Sequence, residues 1–163
     1  MLPEARVRAA TRADLDAVAA IYNEGIRSRQ ATFETAERRA EELAGWLKRP
    51  RHPLLVLEQG GRVLGWAAAS EYRPRACYRG VAEFSIYLAS PARGQGLGSL
   101  LMGAFLEACA ERGCWKVLSR IFPENTASLA LCRKHGFREV GTYEKHAQLD
   151  GVWRDVVIVE RLL

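Results

Sequence analysis

Apolar positions recur along this chain in two periods, and the switch between them marks out its elements. From Thr11 to Arg27 the residues Leu15, Val18, Ala19 and Tyr22 fall at helical spacing. Thr11 stands at the N-cap position with Asp14 three residues on, so a first helix is predicted. A second helical pattern covers Ala36 to Leu47 and stops before Pro50. The period then shortens. Leu54 to Glu58 and Arg62 to Ser70 are β-rich runs joined by Gln59-Gly60-Gly61, a hairpin signal. Ala82 to Ala89 predicts a further strand, with Phe84, Ile86 and Leu88 alternating against Glu83, Ser85 and Tyr87.

After Pro91 comes the glycine-rich turn Arg93-Gly94-Gln95-Gly96-Leu97-Gly98 and then a helix from Ser99 to Arg112. Leu97, Leu101, Ala104, Phe105 and Ala108 share one face of it, and Gly113 stops it. Cys114 to Ile121 reads as a strand and Asn125 to Lys134 as a shorter helix closed by Gly136. Phe137 to Leu149 and Arg154 to Leu163 are strands around an Asp150-Gly151 hairpin turn. No internal repeat, low-complexity tract or linker interrupts this order. It predicts one domain spanning residues 1–163, of α/β (α+β) class, with a mixed, mostly antiparallel central sheet.

Composition narrows the picture. A chain of 163 residues buries roughly 68–70% of its unfolded surface, enough for one sizeable core. The 48% hydrophobic and 26% charged residues exclude a disordered chain, a fibre and a coiled coil. No run approaches the roughly 18 uncharged apolar residues of a membrane helix, and Met1-Leu2-Pro3-Glu4 has no basic segment followed by an apolar one. A cytoplasmic location without a membrane partner is expected. The four cysteines, Cys77, Cys109, Cys114 and Cys132, form no C-x-x-C pair and have no His at zinc spacing, so reduced structural thiols and no metal are expected. The net charge of +5 comes from basic residues scattered along the chain. Without a basic stripe or a motif for nucleic acid, that excess fits a polyanionic small ligand such as a phosphorylated cofactor.

The strand, glycine turn and helix around residues 82–112 supply the strongest chemical signal. They place free backbone N–H groups at a helix N-terminus, where the unpaired donors and the helix dipole favour an anion. Glycine at 94, 96 and 98 lets the backbone approach phosphate oxygens, and a pyrophosphate is the expected guest. A Walker A loop would need Lys before the Ser, and the chain reads Gly98-Ser99. A dinucleotide fingerprint would need G-x-G-x-x-G and an acid at the end of the next strand; the spacing is G-x-G-x-G and Cys114–Ile121 offers no such acid. A glycine turn without a ligand is the alternative.

Arg93-x-x-Gly96-x-Gly98 resembles the R/Q-x-x-G-x-G/A acetyl-CoA pyrophosphate loop of the GNAT superfamily of N-acetyltransferases. Asn125-x-x-Ser128 followed by Gly136-Phe137 is similar to the downstream N-x-x-S…G-F segment of that fold. Tyr22-Asn23-Glu24, Ala31-Thr-Phe-Glu-Thr35, Tyr72-Arg73-Pro74, Ala82-Glu83-Phe84-Ser85-Ile86-Tyr87 and Gly151-x-Trp153-x-Asp155-Val156 together resemble the phosphinothricin and methionine sulfoximine acetyltransferase group. The match runs from about Arg6 to Leu163. It implies a GNAT fold with a splayed strand pair and flanking helices, acetyl-CoA as cosubstrate, small amino-acid-like amines as acceptors, and a homodimer. Peptide N-terminal acetylation and a non-catalytic acyl-CoA-binding module are the rival readings.

Amide formation from a thioester needs an uncharged amine, hence a base. Glu83 is the candidate: it lies in an otherwise apolar strand, where partial burial would raise its pKa, and the resemblance puts the base of the group at this A-E-x-S position. The resemblance further implies that Ile86, Tyr87 and Leu88 offer backbone groups to the acetyl-pantetheine arm, with Leu88 N–H as oxyanion donor. Arg93, Gly94, Gln95, Gly96, Leu97, Gly98 and Ser99 would cradle the pyrophosphate, and Asn125 would hydrogen-bond the pantetheine or cap its own helix. Arg73 and Arg75, flanking Pro74, suit bidentate recognition of a carboxylate or phosphinate, and with Glu83, Phe84 and Ser85 they are the substrate-binding set. Tyr78, Phe33 and Trp153 are candidate pocket walls. His52, His135 and His146 have no partner that the sequence names and are read as surface or structural. Cys132 stands four residues beyond Ser128, where the superfamily often carries a Tyr that protonates the departing thiolate and this group often carries His. Burial as a small apolar side chain is the favoured reading of it over general acid.

Overall fold

In the computed structural model, which describes residues 3–163, the chain runs β1 (Ala5–Ala9), α1 (Leu15–Ser28), β2 (Leu54–Gln59), β3 (Arg62–Glu71), β4 (Val81–Leu88), α2 (Leu97–Glu111), β5 (Lys116–Ile121), α3 (Thr126–Lys134), β6 (Arg138–Leu149) and β7 (Val152–Leu162). The Met1-Leu2 start weighed above lies outside the described residues. The strands form one sheet in the order β1-β2-β3-β4-β5-β7-β6. Every neighbouring pair is antiparallel except β4–β5, which is parallel over three rungs, Val81–Lys116, Ala82–Val117 and Glu83–Leu118.

Strand alternation gives the sheet two apolar faces. Ala82 and Phe84 of β4 and Val117 and Ile121 of β5 point to α2, where Phe105, Leu101 and Met102 are fully buried against them. Trp66 of β3 and Val56 of β2 point the other way, to Leu15, Val18 and Ile21 of α1 and to Leu43. Complete burial of a side chain such as Phe105 contributes about 2–3 kcal/mol, so these two clusters carry most of the stability. The predicted turns are present: Gly60 and Gly61 both take positive φ between β2 and β3, as do Asp150 and Gly151 between β6 and β7.

The first helical pattern begins as a 3-10 turn over Arg12–Asp14 before α1. Thr11 N–H donates to Asp14 Oδ2 at 2.8 Å. The Arg8 guanidinium grips the same carboxylate at 2.7 and 2.9 Å and reaches Glu58 Oε2 at 2.5 Å, which joins β1, β2 and the start of α1.

The structure corrects the second helical pattern. In place of an α-helix over Ala36–Leu47, it has a 3-10 helix over Ala40–Lys48, and Arg39 before it is extended. Asn23 is the cause: its amide donates to Arg38 O at 2.9 Å and accepts from Arg38 N–H at 2.7 Å, occupying both backbone groups a helix would need. Gly45 weakens the segment further. Strand β1 was not predicted: five residues of basic and small apolar type give too short a pattern, and the strand exists because β2 offers an edge. Helix α2 starts at Leu97, two residues before the predicted Ser99, because Gly96 caps it at φ 77°.

Candidate active site

The β4–β5 ladder ends at Glu83, yet β4 runs on to Leu88 and β5 to Ile121. The two strands part at this point. Ala89 N–H donates to Leu64 O at 2.8 Å, which fixes the alternation along β4: Tyr87 and Ala89 turn their backbone groups to β3, and Ile86 and Leu88 turn theirs to the gap. A cavity of about 60 Å³ fills the inner end of the gap, lined by Phe84, Ser85, Ser119, Arg120, Asn125 and Cys132 among others. A larger cleft of about 450 Å³ continues outward past Ile86, Tyr87, Leu88, Asn125 and Ser128 to Arg93, Gly94, Gly96, Gly98 and Ser99, with Leu131 and Lys134 of α3 opposite.

The glycine turn at the outer end is built for approach. Leu100 N–H bonds Gly96 O at 3.3 Å, leaving the amides of Leu97, Gly98 and Ser99 without helical acceptors. A Cβ on Gly96 would meet no atom within 4 Å, and the glycine serves its left-handed backbone. Gly98 differs: its Cβ would stand 3.3 Å from Leu88 and 3.5 Å from Leu131, so glycine there lets α2 sit close to β4 and α3. Arg93 folds back, donating to Leu88 O at 3.2 and 3.3 Å beside Glu24 at 3.5 Å. Glu24 also accepts from Ser90 N–H at 2.9 Å, so α1 and the turn are tied together.

Of the cofactor-binding residues read from the sequence, Ile86, Tyr87, Leu88, Arg93, Gly94, Gly96, Gly98, Ser99 and Asn125 line the cleft. Gln95 and Leu97 do not: Gln95 donates to Pro91 O at 2.7 Å, and the Leu97 side chain is buried in the core. Asn125 caps α3, its Oδ1 accepting from Ser128 N–H at 3.3 Å, and also faces both cavities. Phe84 and Ser85 line the inner cavity. Arg73, Pro74 and Arg75 sit on the exposed β3–β4 loop and line neither, with Arg73 lying over the Tyr72 ring at 5.0 Å. Nor do the expected pocket walls: Phe33 packs edge-on to Phe122, Tyr78 edge-on to Tyr72, and Trp153 is exposed on the β6–β7 hairpin.

Glu83 itself lines neither cavity; it adjoins the inner one through Phe84 and Arg120, and its surroundings are not apolar as expected. Arg120 Nη2 is 3.1 Å from its Oε1. Cys132 is buried, and burial pushes its thiol up to about 12. His135, read as partnerless, shares a 2.8 Å hydrogen bond with Ser99 and so joins the end of α3 to the start of α2. Desolvation, with Lys134 and Arg161 near, pulls its pKa below the ordinary histidine value. The sequence reading missed Arg120, Ser119, Lys134 and the α1-side residues Gly25, Ser28 and Ala31. The one local signal was Arg120, the single charge in the run from Val117 to Phe122, which is apolar but for Ser119.

A parted parallel strand pair, a continuous cleft, and free helix amides at its outer end define an acyl-group-transfer site for an elongated, phosphate-bearing donor. The chain belongs to the acetyltransferase (GNAT) family, whose model matches residues 18–137. It is 34% identical over 160 residues to the L-methionine sulfoximine/L-methionine sulfone acetyltransferase of Pseudomonas aeruginosa, covering 96% of this chain and 93% of that one. A GNAT superfamily phosphinothricin acetyltransferase from Sinorhizobium meliloti, solved in complex with AcCoA, superposes with a TM-score of 0.90 at 32% identity, covering 98% of this chain and 88% of that one. A structure from Brucella melitensis described as a ribosomal-protein-alanine N-acetyltransferase superposes with a TM-score of 0.92 at 36% identity, covering 97% and 99%.

Proposed function

We propose that this chain is an acetyl-CoA-dependent N-acetyltransferase that acetylates the amine of small amino-acid-like acceptors, of phosphinothricin and methionine sulfoximine or sulfone type, by direct transfer. The observation that carries this reading is the succession of the two cavities, which share Ile86, Tyr87, Asn125 and Ser128 and run from the glycine turn to the strand gap, where Arg120 of the inner lining holds the Glu83 carboxylate. The residues present fit acetyl-CoA. The free amides at the start of α2, with Lys134 across the cleft, suit the pyrophosphate. The backbone groups of Ile86 suit the pantetheine arm, which would extend the sheet where β5 has left it, while Arg93 takes the Leu88 carbonyl and leaves the Leu88 N–H for the thioester. Bound acetyl-CoA supplies an activated acyl carbonyl with a good leaving group.

The chain's own groups then divide the work. Leu88 N–H donates to the carbonyl oxygen as negative charge develops there. Glu83 accepts the proton of the acceptor ammonium, directly or through one water. Cys132 stays a buried thiol, so the departing sulfur takes its proton from solvent. Arg73 and Arg75 act on a distal acidic group of the acceptor from the loop above. Exposed Val140, Tyr143, Val152 and Trp153 on the β6–β7 hairpin support a homodimer through that edge. Among the described residues no helix is long and apolar enough to cross a membrane. We read the protein as a single domain, and a cytoplasmic location belongs to this proposal.

The test is thiol release from acetyl-CoA with phosphinothricin, methionine sulfoximine, methionine sulfone, a polyamine and a peptide N-terminus as acceptors. Turnover with the first three is expected. Preference for the peptide would replace this reading with protein N-terminal acetylation, and binding of acetyl-CoA without turnover would replace it with a non-catalytic module. Light scattering checks the dimer.

A further inference from the structure

We infer that Glu83 and Arg120 together form the receptor for the zwitterion of an α-amino acid, with Arg120 holding the acceptor's α-carboxylate while Glu83 faces its ammonium. This rests on the amino-acid acetyltransferase reading above and makes it narrower: the acceptor must carry a free carboxylate on the carbon that bears the amine.

The placement follows from strand alternation. Glu83 is the last β4 residue on the parallel ladder, opposite Leu118 of β5. Arg120 lies two residues beyond Leu118, on the same face of the sheet, past the last rung and at the gap. Its guanidinium returns to Glu83 Oε1 at 3.1 Å and is the one cationic side chain lining the inner cavity among the described residues. Arg73 and Arg75 do not line that cavity, so among the described residues its lining offers the carboxylate nearest the reacting amine no cation besides Arg120.

Energetics favour exchange. The two side chains are 47% and 27% exposed and share one contact, and such a solvent-reached pair is worth about 0–1 kcal/mol. Opening it costs little. An incoming α-amino acid carries opposite charges on one carbon, so it can lie antiparallel to the Glu–Arg pair, giving each charge an opposite partner at once. Arginine suits the task because its planar fork binds a carboxylate through two parallel N–H donors. The same geometry disfavours polyamines, which have no carboxylate, and peptide N-termini, whose first carboxyl is spent in an amide.

The experiment compares methionine sulfone with its methyl ester as acceptors for wild type, Arg120→Gln and Arg120→Lys, with folding checked by circular dichroism. For wild type, kcat/KM is expected to favour the acid. In Arg120→Gln the KM for the acid should rise roughly 10- to 100-fold, the worth of a charge-assisted bidentate contact, with kcat within about threefold and the ester unaffected. Arg120→Lys should recover part of the loss. Because esterification also lowers the basicity of the amine, the quantity read is the change in the acid-to-ester ratio between wild type and variant. An equal loss for acid and ester, expressed in kcat and accompanied by a shifted pH profile, would overturn the inference and make Arg120 a positioning residue for Glu83. Absence of wild-type turnover with any amino acid would instead overturn the proposed function itself, and the inference with it.

Discussion

Two arginine–carboxylate clusters in this molecule use the same chemistry for opposite ends. At the start of α1, Asp14 is buried and accepts from Arg8 twice and from Thr11 N–H, and those hydrogen bonds, Arg8 first, hold its carboxyl at about 2 against the desolvation that pushes it up. None of that cluster lines the cleft or the inner cavity. At the strand gap, Glu83 meets Arg120 through one half-exposed contact beside an opening. The difference is one of over-determination. Asp14 is held by so many partners that no ligand can displace them, and the cluster fastens β1, β2 and α1 together. Glu83 keeps one weak partner, Arg120, and that partner's guanidinium lines a cavity that a substrate can enter.

The comparison breaks most visibly at Glu83. Glu83→Gln should lower turnover by about 10²–10⁴-fold at neutral pH while leaving the urea midpoint almost unmoved, since the exposed pair adds little stability. Turnover within about threefold of wild type from pH 6 to 9 would assign the base elsewhere. Asp14→Asn should do the reverse, costing about 2 kcal/mol of stability with kcat per folded molecule unchanged. Its pH dependence has a definite sign. A carboxyl lowered in the fold stabilises fully above its unfolded value near 4 and loses that contribution as pH falls through about 2. The urea midpoints of wild type and variant should therefore converge in that acid range.

A smaller effect is expected from Cys132→Ala. With the buried thiol held at about 12, turnover should stay within about threefold of wild type, and a loss of two orders of magnitude with acetyl-CoA affinity intact would make it the general acid. The smallest concerns His135. Its pKa is lowered in the fold, so its stabilising contribution is complete above the unfolded value near 6.5 and is lost as pH falls below it. His135→Gln should flatten the decline in urea midpoint between pH 7.5 and 5.5. Some slope should persist from His52, which burial also lowers.

What the sequence made legible was whatever depends on near neighbours. The hairpin glycines, the α2 stripe and the turn at Arg93–Gly98 each state their role within ten residues, and the G-x-G-x-G spacing separated this loop from other phosphate loops. Contacts between distant residues were silent. Asn23 unmaking a helix at Arg38, β1 finding an edge on β2, and Arg120 reaching Glu83 across 37 positions are set by topology, not by local pattern. Glu83 was found because a lone acid in an apolar strand is conspicuous. Arg120 carries the same signal in β5 and passed unread because strand order β4–β5, which gives it meaning, is not written in either strand.

The three-rung seam between β4 and β5 bears on how the fold breathes. On one side β1 to β4 are joined by long antiparallel ladders, and on the other so are β5, β7 and β6. The seam is the thinnest join, so partial opening there leaves both halves intact, and the β5 amides facing it should exchange with deuterium faster than those facing β7. The cleft draws its walls from both halves, from β4 and α2 on one side and α3 on the other. A donor bound across it acts as a clasp, and saturating acetyl-CoA should slow that exchange and raise the melting temperature in proportion to the logarithm of its concentration.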